Sequence, residues 1–136
     1  MADCFALDKS GLLFAPAGGV TNSPSLVRFY STISADNLTG QYYAPPDKFT
    51  SLLRLADNLK KLDFSVVAFR DRPDGSVEAV LSGGQRIVFT RDDDLEAVLA
   101  NFKTVTSDVG FGGNAGFAKV DYIDLRFGNK VFYKLK

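Results

Sequence analysis

Three stretches of this chain contain residue types that do chemistry, and each has to be weighed by its spacing. Asp92, Asp93 and Asp94 stand in a row, as a metal or acid cluster would. A helical pattern starts directly after them, where carboxylates cap free N–H groups and match the helix dipole. Asp93 and Glu96 also have capping-box spacing. A calcium loop needs further oxygen ligands spread through a loop, and the helix follows too soon for that. Gly110 to Ala115 formally fits the dinucleotide fingerprint G-x-G-x-x-A. That fingerprint needs a strand before it and a helix after it. Here the helical pattern lies upstream and the strand pattern downstream, so the stretch reads as a connector. Asp121 and Asp124 suggest a glycosidase pair. On a strand, however, positions three apart project to opposite faces and are separated by about 10 Å of rise. They cannot converge on one bond. Asp124 and Arg126 do share a face and read as a surface pair of small energetic worth.

The remaining composition narrows the function further. Histidine is absent from the 136 residues, which removes Ser-His-Asp and Cys-His catalysis and the commonest metal ligand. Cys4 is the one cysteine, so no internal disulfide can form. Sixteen Lys and Arg balance sixteen Asp and Glu, leaving no global field to attract nucleic acid or an anionic membrane. No run approaches the roughly 18 apolar residues of a membrane span. The first twenty residues also lack a signal-peptide layout. These residues imply no enzyme, no metal, no cofactor and no small-molecule substrate.

The elements that must position any site follow from periodicity. With 46% hydrophobic residues, the chain suits one domain, 1–136, with a substantial core. Cys4 to Asp8, Lys9 to Gly11 and Leu12 to Phe14 read as strand, turn, strand, a start so abrupt that it suggests a cut into a longer protein. The loop that follows, Ala15 to Asn37, carries one or two short strands around Leu26 to Tyr30. Residues 46–61 form the first helix, with Pro46 at its first position and Phe49, Leu52, Leu53, Ala56 and Leu59 on one stripe. Strand patterns at Phe64–Arg70, Val77–Leu81 and Arg86–Thr90, joined by turns at Pro73–Gly75 and Ser82–Gly84, give a meander. A second helix spans about Asp92 to Phe102, with Leu95, Val98, Leu99 and Phe102 on one face. A closing hairpin, residues 122–136, ends the chain. The fold class is α+β: an antiparallel sheet of meander plus C-terminal hairpin, with both helices on one face.

The hairpin raises a question, because its second strand has nothing after it. If Gly128-Asn129 is the whole loop, a type II′ turn results. Phe127 then faces Lys130, Arg126 faces Val131, Leu125 faces Phe132, and Asp124 faces Tyr133. The pair flanking a two-residue loop is the bonded one. Lys130, Phe132 and Lys134 therefore turn their main-chain groups inward, and Val131, Tyr133 and Leu135 turn theirs outward. Lys130, Lys134 and Lys136 are the residues with which proteins guard an edge against aggregation. Lysines that block self-pairing leave an acidic partner free to dock by strand addition.

The segment Tyr122-Ile-Asp124-Leu-Arg126-Phe127, followed by a short turn and Val131, resembles the terminal signature of the bacterial cell-division proteins FtsQ/DivIB. Cys4–Asp8 with Lys9–Phe14 is similar to the opening of that family's β domain. The helix at 46–61, the turn between Leu81 and Val88, and the helix at 92–102 fall in the family's order. The resemblance implies a non-catalytic divisome scaffold in septum formation, acting outside the membrane. In the parent protein a cytoplasmic tail, one transmembrane helix and a POTRA domain precede this β domain. It also implies recruitment of FtsB/DivIC- and FtsL-like partners by strand addition to the last strand. By position, Arg126 and Phe127 match a spot implicated in partner contact, and Gly128, Asn129, Lys130, Val131, Phe132 and Tyr133 match the turn and recruiting strand. Lys134 and Leu135 continue that strand. The chain departs from the family at Phe127, which replaces a tyrosine. Two other readings of the same residues stay open: a small-ligand or catalytic pocket between helices and sheet, and self-assembly through the same edge.

Overall fold

The computed structural model describes residues 5–7, 12–16, 27–30, 44–90, 92–107, 116–127 and 130–136. Its elements in chain order are β1 (Phe5–Leu7), β2 (Leu13–Pro16), β3 (Arg28–Tyr30), α1 (Pro46–Lys61), β4 (Val66–Asp71), β5 (Ser76–Leu81), β6 (Arg86–Thr90), α2 (Leu95–Thr106), β7 (Val120–Phe127) and β8 (Lys130–Leu135). The α+β layering matches the sequence reading. Residues 108–115, with most of the glycine-rich connector, and the Gly128-Asn129 turn lie outside the described residues, as do the turn at 9–11 and Cys4.

β1 and β2 form a small antiparallel pair, and the other six strands form one sheet in the order β3-β4-β5-β6-β7-β8. β4, β5 and β6 are the expected meander. The sheet is mixed, because β3 runs parallel to β4 and β6 parallel to β7. Each parallel pair is bridged by a helix, as a parallel connection requires. This explains the single helical layer. β3, β4, β6 and β7 all point the same way, and both crossovers step in the same direction across the sheet. The near-universal right-handedness of such crossovers then lays both helices on one face.

The local causes are legible in the residues. Pro46 starts α1 as its first residue, and the helix buries Phe49, Leu52, Leu55 and Leu59. Leu55 occupies the deep position, while Leu53 and Ala56 are half-buried beside it. α2 begins at Asp94, whose side chain accepts from the Glu96 backbone N–H at 3.0 Å. Asp93 instead caps the end of β6, accepting from the Thr90 N–H at 2.8 Å. The aspartate run therefore serves chain geometry on both sides. Val98, Leu99 and Phe102 of α2 meet Phe69, Ala79, Leu81, Ile87, Phe89, Ile123 and Leu125 of the sheet in one core. Phe64, Phe102 and Phe117 close one end of it as three mutually edge-on rings with centroids 5.0–5.3 Å apart, a favoured aromatic geometry.

Candidate functional site

The expected site maps onto the end of β7 and the whole of β8. β8 is the last strand of the sheet, and among the described residues its one strand neighbour is β7. Phe127 faces Lys130 as expected, but the register then differs: Asp124 faces Phe132 and Ile123 faces Tyr133. The expected pairs Asp124–Tyr133 and Leu125–Phe132 are corrected by one residue, and the expected Arg126–Val131 pair falls within the irregular stretch between Asp124 and Phe127. Between Asp124 and Phe127 the chain advances three residues, while Phe132 to Lys130 on β8 advances two. The extra residue is a bulge on β7. Its cause is local: the Arg126 backbone N–H bonds to Asp124 Oδ1 at 3.1 Å, a side-chain acceptor that competes with the ladder.

The bulge leaves the polarity of β8 intact, because an extra residue on β7 does not change the alternation of its partner. A second irregularity, between Val120 and Tyr122, is also on β7. The Lys136 N–H donates to the Lys119 carbonyl at 3.0 Å, which fixes even-numbered positions as those turned toward β7. Alternation along the strand then turns the main-chain groups of positions 131, 133 and 135 to the outer edge. The side chains divide the same way. Val131 packs against the core on the helix side. Phe132, opposite Asp124, stands on the other face and meets Phe127 edge-on at 5.4 Å.

Arg126 is held tightly. Its Nε lies 2.9 and 3.1 Å from the two Asp124 carboxylate oxygens, Nη2 lies 2.6 Å from Oδ2, and Nη1 lies 3.5 Å from Asp74 Oδ2. The hydrogen bonds it donates to the Asp124 carboxylate raise its pKa above the ordinary arginine value. Asp124 is only 6% exposed, so the pair is more than the surface contact expected of it. The guanidinium carbon sits 5.3 Å from the Phe127 ring centroid. Asp74, in the β4–β5 turn, accepts from the backbone and hydroxyl of Ser76, which pulls its pKa below the ordinary 3.8 with help from Arg72 and Arg126. Asp121 pairs instead with Arg86, at 3.2 Å, and Arg86 also reaches buried Glu78 at 3.2 Å. The two carboxylates first considered as a catalytic pair thus serve different arginines. Sequence reasoning missed Asp74 and Glu78. Asp74 carried a signal only as a turn residue, and Glu78 lies between Val77 and Ala79 on its strand with no spacing that marks a partner.

Four of the five exposed large hydrophobic residues among those described are Phe127, Phe132, Tyr133 and Leu135. An unextended sheet edge and a cluster of exposed rings coincide on this hairpin. A family model described as cell division protein FtsQ/DivIB, C-terminal, matches residues 3–126. The chain belongs to the FtsQ/DivIB C-terminal family. Its role is therefore in cell division. No curated protein matches the chain. The family match ends at Arg126, one residue before the hairpin's exposed rings begin, so β8 is read from its own geometry.

The competing pocket reading meets two clefts of about 230 and 220 Å³ beside the helices, smaller than the usual 300–1,000 Å³ of a ligand site. The larger contains Lys48, Asp71, Asp93 and Asp94, and Asp93 and Asp94 are the capping residues described above. Among the described residues no three His, Cys, Asp or Glu side chains gather as a metal ion requires. No helix among them is long and apolar enough to cross a membrane.

Proposed function

We propose that this domain is a non-catalytic scaffold of the bacterial division machinery, the β domain of a membrane-anchored parent, facing the extracytoplasmic side at the septum. Its β8 edge receives an extended segment of an FtsB/DivIC-type partner acting with an FtsL-type protein. The observation that carries this reading is the outer rim of β8. The main-chain groups of Val131 and Leu135 point away from the sheet, and exposed rings flank them. Strand addition at such a rim draws affinity from backbone hydrogen bonds and selectivity from alternate side chains. Arg126 and Phe127 form the corner of the site, Gly128 and Asn129 belong to it by their place in the sequence, and Lys130 to Leu135 form the dock.

Proline replacements test it. Proline removes one outward N–H and is tolerated on an edge strand. Leu135→Pro and Val131→Pro should each weaken binding of the extracytoplasmic segment of an FtsB/DivIC-type protein, measured by titration calorimetry. The expected loss is about tenfold for one hydrogen bond of roughly 1–1.5 kcal/mol. Unchanged affinity in variants with native circular dichroism rules out this edge.

A further inference from the structure

The two faces of the β8 rim carry different chemistry. Lys130, Phe132 and Lys134 project on the face opposite the helices, in the order cation, ring, cation. Val131, Tyr133 and Leu135 project on the helix side, and Tyr133 and Leu135 are 53% and 57% exposed. Among the described residues, Lys130, Lys134 and Lys136 have no carboxylate partner, whereas Arg72, Arg86 and Arg126 are all in ion pairs. The hairpin's unneutralised charge is thus concentrated on the lysines of β8 and the residue after it.

Directly opposite residues on adjacent strands have Cβ atoms about 4.5–5.5 Å apart, so opposite charges attract and like charges repel across the pair. A second copy of β8 meets this rule badly. Antiparallel self-pairing that joins Val131 to Leu135 sets Lys130 opposite Lys136. Joining Val131 to Tyr133 sets Lys130 opposite Lys134, and joining Tyr133 to Leu135 sets Lys134 opposite its own copy. Each of these registers places lysine on lysine. A foreign strand escapes the conflict if it carries carboxylates opposite Lys130 and Lys134.

Resting on the strand-docking reading above, we propose that the partner segment is an acidic amphipathic strand whose two carboxylates are four residues apart. Apolar residues fill the three positions between them and the position opposite Leu135. The spacing follows from the side-chain period of two: Lys130 and Lys134 share a face, so carboxylates three or five residues apart fall on opposite faces and cannot meet both. The lysines then act as a filter that admits this partner and excludes self-association.

Blocked synthetic peptides test the filter against the 136-residue chain by fluorescence polarisation. The probe Val-Glu-Val-Ile-Val-Glu-Val places its glutamates correctly whichever way it runs. The control Val-Glu-Val-Ile-Glu-Val-Val has the same composition with glutamates three apart, and Val-Lys-Val-Ile-Val-Lys-Val reverses the charge. We expect the first to bind roughly 3- to 30-fold more tightly than the second, with the third weakest. That preference should disappear in Lys130→Ala/Lys134→Ala and shrink at about 1 M salt. Equal binding of all three peptides overturns the charge filter and leaves the docking edge standing. Binding by none overturns the filter and the docking reading together. The unmodified chain should sediment as a monomer, and a dimer abolished by Leu135→Pro overturns the exclusion of self-pairing.

Discussion

Asp124 and Arg126 stand two positions apart on β7 and are bonded twice over. Asp124 Oδ2 accepts from the guanidinium at 2.6 Å, and its Oδ1 accepts from the Arg126 backbone N–H at 3.1 Å. One side chain therefore neutralises the arginine and also draws its backbone out of the ladder, making the bulge that sets the hairpin register. Asp124→Ala should cost about 1–3 kcal/mol, as loss of charge-assisted hydrogen bonds does, read from the urea midpoint at unchanged m-value. Asp124→Asn keeps an acceptor for the backbone N–H and should lose less.

Asp74 gives the fold an acid-sensitive contact. Its folded pKa lies below the ordinary 3.8, chiefly through the Ser76 hydrogen bonds. A carboxyl depressed on folding stabilises the protein fully above its unfolded pKa and loses that contribution as pH falls through its folded value. The stability difference between the wild type and Asp74→Asn should be constant at neutral pH. It should narrow only below about pH 4, as followed by thermal melts across pH 2–7. A difference that instead changes between pH 5 and 7 assigns the effect to another group.

Two glycine turns of the meander should differ from ordinary surface sites. Gly75 and Gly84 have φ of +86° and +91°, and an added Cβ at either would meet nothing within 4 Å. Any cost of Gly75→Ala or Gly84→Ala is therefore backbone strain alone, about 1–2 kcal/mol. The two should be additive in a double variant, since they sit in separate turns. Thermal denaturation of the three variants checks both statements.

Much of this was readable because short-range rules governed it. Pro46 and the three- and four-residue spacing of Phe49, Leu52 and Leu59 located α1, and the glycine turns located the meander. α2 starts later than its aspartate run suggests because Asp93 is drawn to Thr90, leaving Asp94 as the cap. What local patterns could not express was pairing across the chain. Nothing within β6 or β7 states that they run parallel; that follows from α2 lying between them. The outward set 131, 133, 135 came through although the register was wrong by one, because the bulge falls on β7 and leaves β8 undisturbed. Asp74 shows the opposite case. Its bond to Arg126 spans 52 positions, and no periodicity reports such a contact.

Phe117 anchors the approach to β7 in the core. The glycines at 110, 112 and 113 lie outside the described residues, whereas Phe117 is 1% exposed and packs edge-on against Phe64 and Phe102, at 5.0 and 5.3 Å. Its carbonyl accepts from the Gln85 side chain at 3.4 Å, tying the start of β7 to the turn before β6. Phe117→Ala empties a ring-sized space between α2 and the sheet and should cost about 3–5 kcal/mol. Phe117→Leu refills most of that volume and should recover more than half of the loss. β7 starts at Val120, three residues later, and carries Val120, Ile123 and Leu125 of the same core, so loss of the Phe117 ring should reach the hairpin first. Hydrogen exchange should therefore show the β7–β8 amides losing protection in Phe117→Ala before those of the β4–β5 pair. Uniform loss across the sheet would instead make the domain a single cooperative unit with no separable hairpin.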